Sequence, residues 1–318
     1  MADHTKIEWT DATWNPVTGC SVISPGCTNC YAMKLAGTRL RHHPSRAGLT
    51  RETKAGPVWT GEVRTNWDWI DQPLRWTRPR TIFVCAHGDL FHEGVPDEDI
   101  AQIYGVMIAA HHLRGHTLQV LTKRPSRARQ LLTSDPFWEQ AMAVAGGEIM
   151  NRTDPLARRS NDARASCGQY DSHNPPPGIW LGTSVEDQAR ADERIPALLA
   201  TPAAIRFVSA EPLLGPVDFT RQFFNPAAFA AAIQWIIVGG ENGPRPMQAE
   251  WAQSIRDQCA GAGVAFFFKQ WGSHLPAGQA MANGKVWSPG CGTRLSATKG
   301  ITGRLLDGVE HNAMPRAA

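Results

Sequence analysis

Residues 81–125, TIFVCAHGDLFHEGVPDEDIAQIYGVMIAAHHLRGHTLQVLTKRP, decide the fold class. The run TIFVCA (81–86) is apolar and β-favouring, and the polar turn His87-Gly88-Asp89 closes it. A helical periodicity then covers 96–112, and TLQVLT (117–122) forms a second strand ending at Lys123-Arg124-Pro125. Strand, helix and strand in this order imply a right-handed crossover and parallel pairing. The unit recurs downstream as IWLG (179–182), IRFVS (205–209), IQWIIV (233–238) and VAFFF (264–268), with helices up to about Leu199 and over 249–262. Continuous apolar runs, rather than alternating ones, mark strands covered on both faces. The expected fold is therefore α/β: a complete or partial (βα) barrel of parallel strands, with a doubly wound open sheet as the alternative. Each run ends in a polar or glycine-bearing turn, and in parallel α/β folds ligands bind at those strand ends.

Working outward, the barrel is expected over 1–272. It carries an Arg- and Trp-rich segment at 36–80 and a polar inserted loop at about 145–177 that stops at Pro175-Pro176-Pro177. A Gly-rich, irregular tail, 273–318, is expected to pack over it. The chain has 318 residues, 42% hydrophobic and 19% charged, which excludes a disordered chain, a coiled coil and a collagen-like repeat. No window approaches the roughly 18 apolar residues of a membrane span, so no membrane partner is expected. MADHTKIEWTDATW at the start lacks a signal-peptide layout, and the expected location is cytoplasmic. With 32 Lys+Arg against 29 Asp+Glu, the formal charge of +3 says little about a polyanionic partner. The 12 Trp say more. Residues 51–80 interleave Arg51, Lys54, Arg64, Arg75, Arg78 and Arg80 with Trp59, Trp67, Trp69 and Trp76. That composition suits phosphate contact with base stacking, so DNA or RNA is a candidate partner; equally, the Trp are core and the Arg a solvated face.

The strongest chemical signal is Gly19-Cys20-Ser21-Val22-Ile23-Ser24-Pro25-Gly26-Cys27-Thr28-Asn29-Cys30-Tyr31-Ala32. Three thiols fall in eleven residues, on a loop rich in Gly and Pro that leads into a helix from Ala32 to about Leu40. Thiolates suit zinc or iron–sulfur centres. A structural zinc site normally closes with four protein ligands, whereas three leave one corner open for a small molecule. Cys85, Cys167, Cys259, Cys291 and several His are candidate fourth ligands, so a closed site stays open as a reading. Cys85 in an apolar strand and Cys259 on a helix read as core residues.

These residues resemble the radical S-adenosylmethionine (SAM) superfamily, in its spore-photoproduct-lyase-like cysteine signature. IEWTDATWNPVTGC, IFVCAHGDLFHEGVP, VLTKRP, WLGTSVED, EPLLGPVDF, WIIVGGENGPRPM and FFFKQWG resemble the phage-associated three-Cys-motif proteins. Four features depart from the superfamily pattern. Six residues, rather than three, separate Cys20 from Cys27. Asn29 stands where an aromatic is usual, and Tyr31 follows instead. The turn after the next strand is His87-Gly88-Asp89 rather than Gly-Gly-Glu, and the literal Gly-Gly-Glu at 239–241 lies on a later strand. The resemblance implies a [4Fe-4S] cluster on Cys20, Cys27 and Cys30, reduced by an external electron donor. Its open iron would take SAM and yield a 5′-deoxyadenosyl radical. It further implies that Lys123 pairs with the SAM carboxylate, Ser184 hydrogen-bonds it and Asp89 takes the amino group. Glu186 or Glu211 would take a ribose hydroxyl, Gly239-Gly240 would admit the adenine, and Tyr31 would border the cofactor. Structural alternatives are a solvated turn at Lys123, a helix N-cap at Ser184, and ion pairing of Glu211 and Asp89. A modified or damaged nucleic acid is the expected substrate. The rival reading is a zinc- or cluster-stabilised nucleic-acid-binding phage protein without radical chemistry.

Overall fold

The computed structural model describes residues 5–151, 170–288 and 295–315. One sheet holds seven parallel strands: β1 (Ala12–Trp14), β2 (Thr81–Val84), β3 (Thr117–Thr122), β4 (Ile179–Ser184), β5 (Ile205–Ala210), β6 (Trp235–Gly239) and β7 (Ala265–Gln270). They lie side by side in chain order. A doubly wound sheet reverses its strand order at a switch point; here there is no reversal, which removes that alternative. Among the described residues β1 and β7 do not pair, so the barrel is partial: a half-barrel flanked by helices.

Two apolar cores explain why the strands read as unbroken apolar runs. Ile82 and Val84 face the core shared with the helices, while Phe83 between them faces a second core inside the curve. That inner core gathers Trp9, Trp180, Phe207, Trp235, Ile237 and Phe267. Gly182 sits opposite Phe207 in register, and a Cβ there would lie 2.5 Å from the Phe207 ring. The inner face has room for one of the two side chains. The large aromatic takes it.

The helices of seven residues or more are α1 (Tyr31–Gly37), α2 (Asp97–Arg114), α3 (Pro125–Leu132), α4 (Asp135–Asn151), α5 (Gln188–Leu199), α6 (Pro226–Ala232) and α7 (Ala249–Ala262). α2 opens with Asp97, Glu98 and Asp99 and closes with His111, His112 and Arg114 ahead of a left-handed Gly115. Acid at the positive end, base at the negative end and a glycine stop suit a helix of this length.

Several boundaries differ from expectation. α1 is shorter than the run to Leu40. Residues 145–151 are the last turns of α4 rather than loop, 152–169 (with Cys167) lie outside the described residues, and 170–177 form neither helix nor strand. β4 runs on through Thr183 and Ser184, and the N-cap of α5 is Asp187, which accepts from the Arg190 N–H; Ser184 is not that cap. β7 includes Lys269 and Gln270. β2 stops at Val84 because Cys85 takes a left-handed backbone, φ 58°.

The Arg- and Trp-rich segment folds on itself. Thr50–Arg51 pairs with Val58–Trp59, and Val63–Thr65 with Val17–Gly19 beside the cysteine loop. Trp59 is buried among Ala32, Met33, Ala36 and Leu49, and Trp76 is buried under the Arg80 guanidinium. Trp67 remains 44% exposed. In the tail, the Phe268 N–H donates to His311 O (3.0 Å) and the Ala313 N–H to Phe266 O (3.2 Å). Residues 311–313 thus cover the edge of β7, a position where bare backbone invites aggregation. Cys291 lies outside the described residues, and Cys259 is buried in α7.

Candidate functional site

The cysteine loop leaves the strand Val17–Gly19 through a turn that only glycine fits. Gly19 has φ 95°, and a Cβ there would lie 2.3 Å from the Glu62 carbonyl oxygen. Pro25–Cys27 makes one 3-10 turn and Cys30 is the N-cap residue of α1. All three thiols border a cavity of about 700 Å³ at the C-terminal ends of the strands. Residues 5–9 and Lys299 of the tail border it too, and Lys299 is paired with Glu8 at 3.4 Å.

The loop is held from four strand ends. From beyond β2, the Ala86 carbonyl accepts the Tyr31 hydroxyl and His92 Nε2 meets Ser21 Oγ at 3.0 Å. From the end of β3, Lys123 Nζ donates to Ser24 Oγ at 3.1 Å, and Arg124 donates to Ser21 Oγ at 2.6 Å and to Cys20 Sγ at 3.7 Å. After β4, Glu186 accepts from Ser24 Oγ at 2.7 Å. After β6, Glu241 grips Arg245, whose guanidinium donates to Pro25 O at 2.9 Å.

The thiols differ electrostatically. Burial, reinforced by the Asp89 charge, pushes Cys20 up to about 12 despite Arg124, and burial also raises Cys30. Burial opposes ionisation of Cys27 as well, but the Lys123 ammonium and hydrogen bonds at Ile23 and Ser24 outweigh it, and its thiol lies below the usual range. Lys123 is itself lowered by burial and is held up by Cys27, Cys30 and Cys20 together. One cation thus senses all three sulfurs. His87 on the cavity wall is lowered to about 4 by burial and by Arg46, so at neutral pH its imidazole is uncharged.

The sequence-predicted contacts divide. Tyr31, Asp89, Lys123, Ser184, Glu211 and Gly240 border the cavity; Glu186 and Gly239 do not. Asp89 is already committed. It accepts from Thr122 Oγ1 (2.7 Å), the Lys123 N–H (3.0 Å), the Phe91 N–H (3.1 Å) and Arg124 Nη1 (3.0 Å). Glu186 is completely buried between Lys123, Arg194 and Ser24. Its place is under the cysteine loop rather than at a ribose. Glu211 is ion-paired, with Lys269 at 2.9 Å. Gly239 leaves room for that carboxylate, and Gly240 for the Trp271 carbonyl 2.0 Å from where a Cβ would be. Cys85 is buried, as a core residue would be, yet it borders the cavity and is raised by burial and partly by Asp89 and Cys20.

Among the described residues no three His, Cys, Asp or Glu side chains are arranged as a ready-made metal site, and the sulfurs are free thiols. The donor set still fits a thiophilic group: three soft thiols of one loop border one cavity, and a charge on Cys27 disfavours ionisation of both Cys20 and Cys30. Three polar atoms of cavity-bordering residues, Trp9 Nε1, His87 Nδ1 and Gln270 Oε1, are buried without a partner. Each such group calls for an explanation, and a bound ligand or ion is one of them.

A family described as "Protein of unknown function (DUF5131)" matches residues 4–315. The chain belongs to that family. No curated protein and no solved structure matches it. In this DUF5131 member, sequence reasoning missed Arg124, Arg194, Arg245 and Lys269, which hold the site's carboxylates. Arg245 stands four residues after Glu241, but the stretch is not helical, so the spacing alone did not announce the pair. Nor did anything announce Arg194, because its partner's burial is a tertiary property.

Proposed function

We propose that this chain is a radical-SAM-type enzyme whose Cys20, Cys27 and Cys30 hold a [4Fe-4S] cluster, served by an external electron donor. One observation carries the reading: three thiols of one loop border a cavity at the strand ends of a parallel half-barrel. When bound and reduced, such a cluster supplies the electron that cleaves SAM to methionine and a 5′-deoxyadenosyl radical. The chain's own residues then have separable tasks. Cys27 is the thiol that gives up its proton most readily, because Lys123 stabilises the thiolate. Lys123 and Ser184 offer donors to an anionic group of SAM, and Tyr31 and Gly240 border the space that group needs. Asp89 contributes by fixing the β3 end, through Thr122 and Arg124, rather than by receiving an amino group.

A modified or damaged nucleic acid is the proposed substrate, on narrower support than the segment's composition offers. Buried Trp59 and Trp76 cannot stack on bases, which leaves exposed Trp67 and half-buried Trp69, the latter packed against His43, with the exposed Arg51, Lys54, Arg75 and Arg78. A second reading, a closed zinc or cluster site in a nucleic-acid-binding protein, is favoured by Cys85 beside Cys20 on the same wall. Iron and sulfide analysis with EPR on anaerobically reconstituted protein separates the two. The radical reading expects about four irons per chain, a signal altered by SAM, and 5′-deoxyadenosine under reductant. Cys20→Ala, Cys27→Ala or Cys30→Ala should each lose the iron, while Cys85→Ala keeps it. Colourless protein with one tight zinc that Cys85→Ala releases would establish the rival.

A further inference from the structure

Glu186 has no exposed surface, and its carboxylate lies beneath the cysteine loop instead of on the cavity wall. Oε1 accepts from Ser24 Oγ at 2.7 Å and pairs with Lys123, while Oε2 takes Arg194 Nη1 at 3.1 Å. Arg194 is itself buried and comes from α5, so the carboxylate is braced from the barrel side. Gly26 lies directly over it. A Cβ at that position would be 2.4 Å from Oε1, 2.5 Å from Cγ and 2.8 Å from Cδ, closer than real atoms approach. Backbone and carboxylate are therefore in contact across a gap that admits no side chain.

We propose that Glu186 is a positioning residue for the cysteine loop: its braced carboxylate is the seat that fixes the height of Ser24, Gly26 and Cys27. Charge and shape both matter to this role. A glutamine keeps the shape but leaves Lys123 and Arg194 facing a neutral amide, and aspartate keeps the charge on a seat one methylene lower, which suits only a loop that carries one methyl more. The inference deepens the reading above, since the loop it positions is the one that reading loads with metal.

Hydrogen exchange of amides 24 and 26–30 in the full-length, metal-free chain tests the seat without any cofactor. Gly26→Ala should speed that exchange about ten- to hundredfold, with the barrel strands unchanged. Glu186→Gln should do the same if it folds; Gly26→Ala keeps both buried cations paired and decides the matter if it does not. The double variant Gly26→Ala/Glu186→Asp, which makes room for the methyl, should recover at least half of the lost protection. A merely structural glutamate would give no such rescue. Wild-type exchange in Gly26→Ala, or a double variant no better than Gly26→Ala alone, overturns the proposal. Cobalt(II) titration, followed by its thiolate charge-transfer band, is the parallel readout. Wild-type protein that binds no cobalt sinks the metal reading, while the exchange data still judge the seat.

Discussion

His116 shows what burial does to a single side chain here. Its ring is fully enclosed, Nδ1 accepting from the Arg80 N–H at 3.1 Å and Nε2 donating to Pro73 O at 3.0 Å. Both nitrogens are used by the neutral form. Burial, with Arg80 and Arg114 nearby, lowers the ring to about 4; burial and His111 do the same for His112. In the unfolded chain both titrate near 6.5. Between those values the unfolded state binds more protons, so stability falls as pH drops through the window from about 6.5 to about 4. Each ring contributes a slope of at most about 1.4 kcal/mol per pH unit. Urea unfolding from pH 4 to pH 8 should show this loss, and His116→Gln should be less stable at pH 7 but shallower in slope. An unchanged slope in that variant would refute the assignment.

At the scale of elements, the edge of β7 is the exposed liability. Residues 311–313 cover it through the hydrogen bonds at Phe266 and Phe268, and the indole N–H groups of Trp235 and Trp271 donate to Ala313 O and Leu305 O, each at 2.9 Å. Removing 305–318 would break these four hydrogen bonds, at about 1 kcal/mol each, and also those that join Asp307 to Gln253, Arg256 and Gln279. The expected result is a Tm lower by at least about 8–16 °C and a tendency to aggregate, measured by calorimetry and light scattering. A truncated chain that melts within about 2 °C of the full one would show that the tail only rests on the barrel. The opposite edge needs no such cover, because β1 is short and leads directly into the Val17–Gly19 pairing.

For the whole molecule, the four-sided grip on the cysteine loop would separate folding from the metal loading proposed above. In small metal-dependent domains the ligand loop has nothing else to hold it, and binding energy is folding energy. Here Ser21, Ser24, Pro25 and Tyr31 are each held by protein groups from different strand ends, and the barrel has two apolar cores of its own. Stripping metal from loaded protein with a chelator should therefore shift Tm by less than about 5 °C and leave far-UV circular dichroism unchanged. Unfolding on chelation would mean that the metal, rather than the protein, organises the loop, and would favour a closed structural site.

The amino-acid sequence by itself determined the parallel α/β class, the rhythm of the six strands that follow the first, and the clustering of three thiols. Those features are local: apolar runs, turn residues and short spacings carry them within a few residues of chain. Tertiary structure alone decided which polar strand-end residues face the cavity and which are committed elsewhere. Asp89 and Glu186 read as ligand-binding acids until Arg124 and Arg194 are brought against them. Ser24 and Glu186, 162 residues apart, share one hydrogen bond that no local pattern announces. Trp59 and Trp76 read equally as stacking platforms or as core until packing buries them. A carboxylate's task is set by which cation reaches it first and how much water remains, and both are properties of the folded assembly of strand ends.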